Sequence, residues 1–141
     1  MNATAKSTFA GRRVLVAEDQ LLIAQLIEQF LSALGCEMIG PARTTAEALA
    51  AIRAHELDGA LLDLHFDGET CEPAARELAR RGIPFIVISG AAKAPAEPSG
   101  LLAEAPRLTK PFTVRQLEDI MSRTFCRREA GQRVSPDGGP L

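Results

Sequence analysis

The stretch VLVAEDQ, residues 14–20, runs four apolar residues directly into two adjacent carboxylates, Glu18 and Asp19. An apolar run of this kind is typical of a strand that is covered on both faces of a parallel sheet. Strands usually end on turn residues. A doubled negative charge at this point indicates either a functional site at the end of the strand or, for Asp19, a cap on the helix that follows.

Strand-like and helix-like runs alternate from this stretch onward. The further strand-like runs are CEMIGPA, GALLDL, IPFIVISG and RLTK. The helix-like runs are QLLIAQLIEQFLSALG, TTAEALAAIRAHE, CEPAARELARRG and TVRQLEDIMSRTFCRR. The first helix has apolar residues at helical spacing and a terminating glycine, namely Leu22, Leu26, Phe30, Leu34 and Gly35.

One interval, AAKAPAEPSGLLAEAP at residues 91–106, interrupts this alternation where a fourth helix is due. It contains three prolines and a glycine, which is too many for a helix longer than about one turn. We expect a long loop over residues 91–105.

Alternating strands and helices predict an α/β fold with a doubly wound, five-stranded parallel sheet flanked by helices. The predicted strand order is 2-1-3-4-5, and the fourth helix is expected to be short or replaced by a loop. The predicted domain covers residues 12–128, between a flexible N-terminus at 1–11 and a disordered tail at 129–141.

The composition restricts the class of protein. The chain has 141 residues and a net charge of -2, so a binder that works by neutralising nucleic-acid phosphates is not expected. Three scattered cysteines, Cys36, Cys71 and Cys126, predict reduced thiols rather than disulfides or a zinc site. No run is long enough to span a bilayer and no apolar leader is present, so a cytoplasmic protein without membrane contact is expected.

Three more polar residues end strand-like runs in the same way as the acidic pair: Asp63, Ser89 and Lys110. Parallel strands bring such ends to one crevice. Three carboxylates that close repel one another unless a cation lies among them, and Mg²⁺ suits such a set. An aspartate held by a metal and a lysine can act as a nucleophile and form an acyl phosphate.

In this arrangement the chain resembles the receiver domains of two-component response regulators, from about Arg12 to Arg127. The resemblance identifies Asp63 as the phosphoacceptor and Ser89 as the switch hydroxyl. It identifies Glu18 and Asp19 as the acidic pair and Lys110, in LTKPF, as the family's lysine. It also implies that Mg²⁺ is bound by Glu18, Asp19, Asp63 and the backbone carbonyl of His65.

The chain departs from common receivers at three places. The stretch DLHFDGE reaches its glycine early, the fourth helix is interrupted, and Arg107 stands where the family has a switch aromatic. An arginine in that position should stay outward, because an apolar slot would strand its charge. We therefore expect the loop at 91–105 to act as the switch, becoming ordered on phosphorylation and presenting Leu101 and Leu102 to a partner. The stretch GIPFIVISG is similar to a subgroup of single-domain receivers with a Phe-Ala-Thr-Gly motif, which adds Gly90 to the phosphoryl-binding residues.

The resemblance implies a stand-alone receiver that accepts a phosphoryl group from a histidine kinase or a histidine phosphotransfer protein. It would signal to an unidentified downstream protein, or act as a relay intermediate or phosphate sink, with at most slow autodephosphorylation. A second hypothesis is a haloacid-dehalogenase-like phosphatase with Asp63 as nucleophile, although position 65 is then His rather than an acid. A third is a pseudo-receiver that binds partners without phosphorylation.

Overall fold

A computed structural model describes residues 9–90 and 100–125 of the chain. Ordered packing begins before Arg12, because Phe9 is buried in the core and the N–H of Gly11 donates a hydrogen bond to the carbonyl of Gly35. These contacts precede residue 12, and the domain boundaries themselves stay a prediction. The expected C-terminal tail at 129–141 lies outside the described residues.

Five parallel strands form the central sheet, and two short strands form a separate hairpin. The sheet strands are β1 (Arg13–Ala17), β2 (Glu37–Ala42), β3 (Gly59–Asp63), β6 (Phe85–Ser89) and β7 (Arg107–Thr109). The hairpin strands are β4 (His65–Phe66) and β5 (Glu69–Thr70). The sheet order is β2-β1-β3-β6-β7, which confirms the predicted order once the hairpin is left out.

Helices cover both faces of the sheet. They are α1 (Leu21–Ala33), α2 (Thr45–Ala54), α3 (Glu72–Arg80), α4 (Leu101–Glu104) and α5 (Val114–Phe125). One core joins α1 and α5 to the sheet, and the other joins α2, α3 and α4 to it. Alternate residues of β1 face the two cores, with Val14 in one and Leu15 in the other, as the strand period of two requires. No helix among the described residues has the length and apolar character needed to cross a membrane.

Only part of the apolar set that indicated helix α1 packs on the core, namely Phe30 and, just beyond the helix, Leu34. Ala24, Ile27 and Leu31 are its buried residues, whereas Leu22 is 79% exposed and Leu26 is 38% exposed. The helix carries apolar residues on more than one face, so periodicity alone did not determine which face packs on the sheet. Exposed leucines therefore lie close to the acidic pair, beginning with Leu21, two residues after Asp19.

The interval predicted as a loop contains a helix of one turn, α4. Leu102 is buried in the core and Leu101 is partly buried, so Leu102 is already packed rather than available to a partner. Residues 91–99, the rest of the proposed order–disorder segment, lie outside the described residues. The fold prediction of a short fourth helix is confirmed.

Gly59 at the start of β3 allows a close approach to helix α5. A Cβ added at Gly59 would lie 2.6 Å from Cζ of Phe125. We expect Gly59→Ala to lower the free energy of unfolding by about 1–3 kcal/mol, because strand and helix would have to separate. Urea unfolding measures this loss, and Phe125→Leu should reduce the loss by removing the ring. An equal loss in both backgrounds would exclude the ring contact as its cause.

Candidate functional site

The strand register brings four of the predicted site residues to one edge of the sheet. Ala17 pairs with Leu62, so Glu18 and Asp63 follow paired residues at the ends of β1 and β3. Asp63 pairs with Ile88, which places Ser89 one residue further along β6. The N–H of Lys110 donates a hydrogen bond to the carbonyl of Ser89 at 2.8 Å. Neighbouring strands therefore deliver these side chains to the same crevice.

The three acidic residues converge in this crevice. Glu18, Asp19 and Asp63 each offer a carboxylate oxygen, and these oxygens lie within 4.8 Å of one another. Glu18 is only 1% exposed, and its Oε2 atom accepts a hydrogen bond from the N–H of Gln20. Asp19 does not cap helix α1, since its Oδ2 atom accepts a hydrogen bond from the N–H of Asp67. The cluster is thus directed into the crevice rather than used to end a helix.

Lys110 is the positive group of the site. Its Nζ atom lies 3.3 Å from Oε1 of Glu18 and 3.5 Å from Oδ2 of Asp63. The pKa of Asp63 is raised from 3.8 to about 7, mainly by burial and then by the charge of Glu18, while the charge of Lys110 opposes the rise. One ammonium therefore does not balance the two buried carboxylates beside it.

These residues fit a hard divalent cation. Oε1 of Glu18 is buried and accepts no hydrogen bond from any described residue, although the ammonium of Lys110 is in ionic contact with it. A buried anionic oxygen without a hydrogen-bond donor is costly unless another positive group satisfies it. Carboxylate oxygens are the ligands that Mg²⁺ prefers, and a cation among them would lower the pKa of Asp63.

The other predicted residues surround this cluster. Ser89 is partly buried at the end of β6, and Gly90 is exposed, with open space where a Cβ would stand. His65 begins the β4–β5 hairpin, opposite Thr70, and is exposed. The binding of Mg²⁺ by the His65 carbonyl and of a phosphoryl oxygen by Ser89 and Gly90 stay predictions.

Arg107 is neither an inward switch residue nor a freely exposed one. Its side chain is partly buried and Nη2 donates a hydrogen bond to the carbonyl of Leu102 at 3.2 Å. The role of this position in the switch stays a prediction. The carbonyl at the end of α4 satisfies the guanidinium, so the side chain folds back over that helix without stranding its charge.

The sequence reasoning missed a contact network at the β4–β5 hairpin. From sequence alone Asp67 and Glu69 are predicted to be solvated loop charges, but both accept hydrogen bonds from Thr45 at the start of α2. The signal was present, because an Asp-Gly pair between short β-type runs is typical of a two-residue hairpin turn. The network reaches the acidic cluster through the Asp67 N–H described above.

Comparison with known sequences supports the resemblance. The chain matches the response regulator receiver domain over residues 14–122. It is 31% identical over 111 residues to the transcriptional regulatory protein PdtaR of Mycobacterium tuberculosis. That match covers 75% of this chain and 53% of PdtaR, so the chain spans about half the length of this curated relative.

Solved structures share the fold. SdrG from Sphingomonas melonis Fr1 aligns with a TM-score of 0.70 and 32% identity, over 82% of this chain and 95% of SdrG. The receiver domain of the sensor histidine kinase PA1611 from Pseudomonas aeruginosa PAO1 aligns with a TM-score of 0.72 and 25% identity. That alignment covers 84% of this chain and 100% of the PA1611 domain, which has a magnesium ion coordinated in its active site cleft.

Receiver domains are generally phosphoacceptors that bind Mg²⁺ in the active site and interact with histidine kinases or phosphotransfer proteins. The comparisons give no support to the haloacid-dehalogenase alternative. Since the match over residues 14–122 covers most of the chain, this protein belongs to the response regulator receiver domain family.

Proposed function

We propose that Asp63 of this protein accepts a phosphoryl group from a histidine kinase or a histidine phosphotransfer protein in a Mg²⁺-dependent reaction. The observation that carries the proposal is the buried Asp63 carboxylate, with donor oxygens of Glu18 and Asp19 within 4.8 Å and Lys110 Nζ at 3.5 Å. A structural aspartate would be expected to have hydrogen-bond donors around it rather than two further acids.

In the proposed reaction an oxygen of Asp63 attacks the phosphorus atom of the donor's phosphohistidine. The phosphorus–nitrogen bond breaks as the acyl phosphate forms, and the departing imidazole keeps the electron pair and takes up a proton from solvent. The distance between Lys110 and Asp63 supports a role for the ammonium in binding an oxygen of the transferred group. Ser89 would donate a hydrogen bond to the same group.

Bound Mg²⁺ would supply positive charge against the carboxylates and the phosphoryl oxygens. Glu18, Asp19, Asp63 and the carbonyl of His65 would hold it. Beyond the transfer itself, we propose that the product signals by phosphorylation-dependent protein binding or passes on or discards the phosphoryl group. Such a protein turns over slowly, through autodephosphorylation alone, and is not an enzyme acting on small substrates.

The surface beside the crevice is suited to a protein donor. Leu21 and Leu22, close to the acidic pair in the chain, are 54% and 79% exposed. Large exposed apolar side chains close to a site favour contact with another protein. A donor that brings its phosphohistidine to Asp63 has to approach this edge of the sheet, where these side chains would meet it.

The proposed function is tested with acetyl phosphate, Mg²⁺ and intact-mass measurement. We expect a stoichiometric gain of one phosphoryl group that is lost when the metal is chelated. Failure to gain it, from acetyl phosphate and from a set of kinases alike, would favour the pseudo-receiver. Multiple turnover of small phosphomonoesters would instead favour a phosphatase.

Lys110→Ala should weaken the conformational response to phosphorylation more than it slows phosphorylation itself. The reason is that the lysine binds the phosphoryl group but is not the nucleophile. We expect phosphorylation to slow by about tenfold, the effect of one charge-assisted hydrogen bond. The change in hydrogen exchange caused by beryllofluoride should be largely lost. Arg53→Ala, which removes an exposed charge from the end of α2, is the matched control. Equal losses of rate and response would contradict this division of roles.

A further inference from the structure

The β4–β5 hairpin has a tightly defined turn. Asp67 and Gly68 form its two-residue loop, with φ angles of 58° and 75°. Positive φ at both central residues is the requirement of the hairpin turn that Asp-Gly pairs favour. Phe66, just before the turn, is 2% exposed and lies in the core beneath α2 and α3. The hairpin is therefore a packed element of the fold with a defined turn.

Two hydrogen bonds from Thr45 connect this hairpin to the start of helix α2. The N–H of Thr45 donates to Oδ2 of Asp67 at 2.9 Å, and its hydroxyl donates to Oε2 of Glu69 at 3.1 Å. Thr45 is the first residue of α2, so its N–H is one of the donors that the helix leaves without an internal acceptor. Both carboxylates also lie at the positive end of the helix, which stabilises them there.

The tip of the hairpin also donates a hydrogen bond to one of the acidic residues of the site. The N–H of Asp67 donates to Oδ2 of Asp19 at 2.9 Å. Asp19 is partly exposed at the edge of the crevice. Strand β1, which precedes it, donates no hydrogen bond to its side chain. A side chain in that position has several rotamers available, so a donor on a rigid tip restricts it to one orientation.

We propose that Asp67 and Thr45 are positioning residues for the cation site, acting through the orientation of the Asp19 carboxylate. The inference rests on the proposed function, in which Asp19 is a cation ligand. Hydrogen-bond partners of metal ligands typically contribute about 10–100-fold to metal affinity. In this chain that partner is the backbone of a hairpin whose own position is set by α2.

A different role for Asp67 has to be separated from this one. Its carboxylate also adds negative charge close to the crevice and could attract a cation without orienting anything. Asp67→Asn removes the charge but keeps an oxygen that accepts from Thr45, and asparagine tolerates positive φ. Asp67→Gly removes the charge and the acceptor together, and glycine adopts positive φ without strain. The two variants therefore differ in the contact to Thr45 while sharing the loss of charge.

The test is the affinity of the full-length chain for Mn²⁺, which takes the same oxygen ligands as Mg²⁺. Free Mn²⁺ is followed by electron paramagnetic resonance during titration. We expect Asp67→Gly to weaken binding by about tenfold or more and Asp67→Asn to stay close to the unaltered protein. Equal weakening in both variants would assign the effect to charge, and no weakening in Asp67→Gly would show that the contact is irrelevant. Either result overturns the inference.

Thr45→Pro tests the same contact from the other side. Proline is favoured at the first position of a helix, where the missing N–H is one that the helix itself does not use. The substitution removes both Thr45 donors, the N–H to Asp67 and the hydroxyl to Glu69. The preceding residue, Thr44, is extended at φ -134° and ψ 162°, which is the conformation that proline favours before it. We expect Thr45→Pro to weaken Mn²⁺ binding as Asp67→Gly does. Unchanged binding would overturn the inference.

A second measurement in metal-free protein makes failure of the inference distinguishable from failure of the proposed function. The amide of Asp67 should exchange slowly in the unaltered chain and in Asp67→Asn, and faster in Thr45→Pro. Fast exchange in the unaltered chain would overturn the positioning role even if Mn²⁺ binds. If the exchange pattern is as expected but the unaltered chain does not bind Mn²⁺, the cation site fails, and the positioning role for it fails with it.

Discussion

Asp63→Asn protein is expected to gain no phosphoryl group from acetyl phosphate and Mg²⁺, where the unaltered protein gains one. The substitution preserves the size of the side chain but replaces an anionic oxygen nucleophile by a neutral amide, which cannot form the acyl phosphate. Among the described residues, Glu18 is the other acid in contact with Lys110, and it is only 1% exposed. Intact-mass measurement after incubation decides the result.

The chain offers a matched control on the same strand. Asp58 precedes β3 and Asp63 ends it, and both are 7% exposed. Oδ2 of Asp58 accepts a hydrogen bond from the N–H of Arg13 at the opposite edge of the sheet from the site. Asp58→Asn protein should therefore still gain one phosphoryl group. A stoichiometric gain in Asp63→Asn protein would show that another residue is the acceptor.

The second large effect is a pH-dependent destabilisation by the Asp63 carboxylate in metal-free protein. Its folded-state pKa is raised to about 7 from 3.8, first by burial and then by the charge of Glu18. Between these values the unfolded chain releases the proton that the folded chain keeps, so raising the pH favours unfolding. The free-energy cost of keeping the buried carboxylate charged in the folded chain grows over this pH range and reaches its full value above the folded-state pKa. At about 1.4 kcal/mol per pKa unit it amounts to at most about 4 kcal/mol.

The measurement compares urea unfolding of the unaltered protein and Asp63→Asn between pH 4 and pH 8. We expect Asp63→Asn to become progressively more stable than the unaltered protein as the pH rises, because its amide carries no charge to bury. Saturating Mg²⁺ should remove much of the difference at pH 8, since a ligand of the folded state stabilises it. A difference that is constant across this range, or that grows as the pH falls, would contradict the pKa assignment.

The sheet and its polar edge could be predicted from sequence because both follow from local patterns. Buried parallel strands read as short apolar runs, and parallel connection sends all their carboxyl ends to one edge. Asp63 and Lys110, 47 positions apart in the chain, therefore meet as predicted. The order of the strands required no long-range information beyond the alternation and the family resemblance.

Other features depend on contacts that local patterns do not determine. Helix α1 has apolar residues on several faces, and only packing on the sheet selects Ile27 and Leu31 over Leu22. The position of Arg107 depends on a carbonyl of α4, in an interval where the proline content allowed a helix of at most about one turn. The Thr45 contacts join residues 22 and 24 positions apart through side chains that, in sequence, look like solvated polar groups.

The outermost position of β2 has a consequence for self-association. A strand at the edge of a sheet presents unpaired backbone groups to which a strand of another chain can add. Strand β2 contains Pro41, which has no N–H to donate, and the strand begins at the exposed, charged Glu37. An incoming strand would lose a hydrogen bond at the proline and have to accommodate the carboxylate. Growth of the sheet into a fibre from this edge is therefore disfavoured, even in concentrated protein.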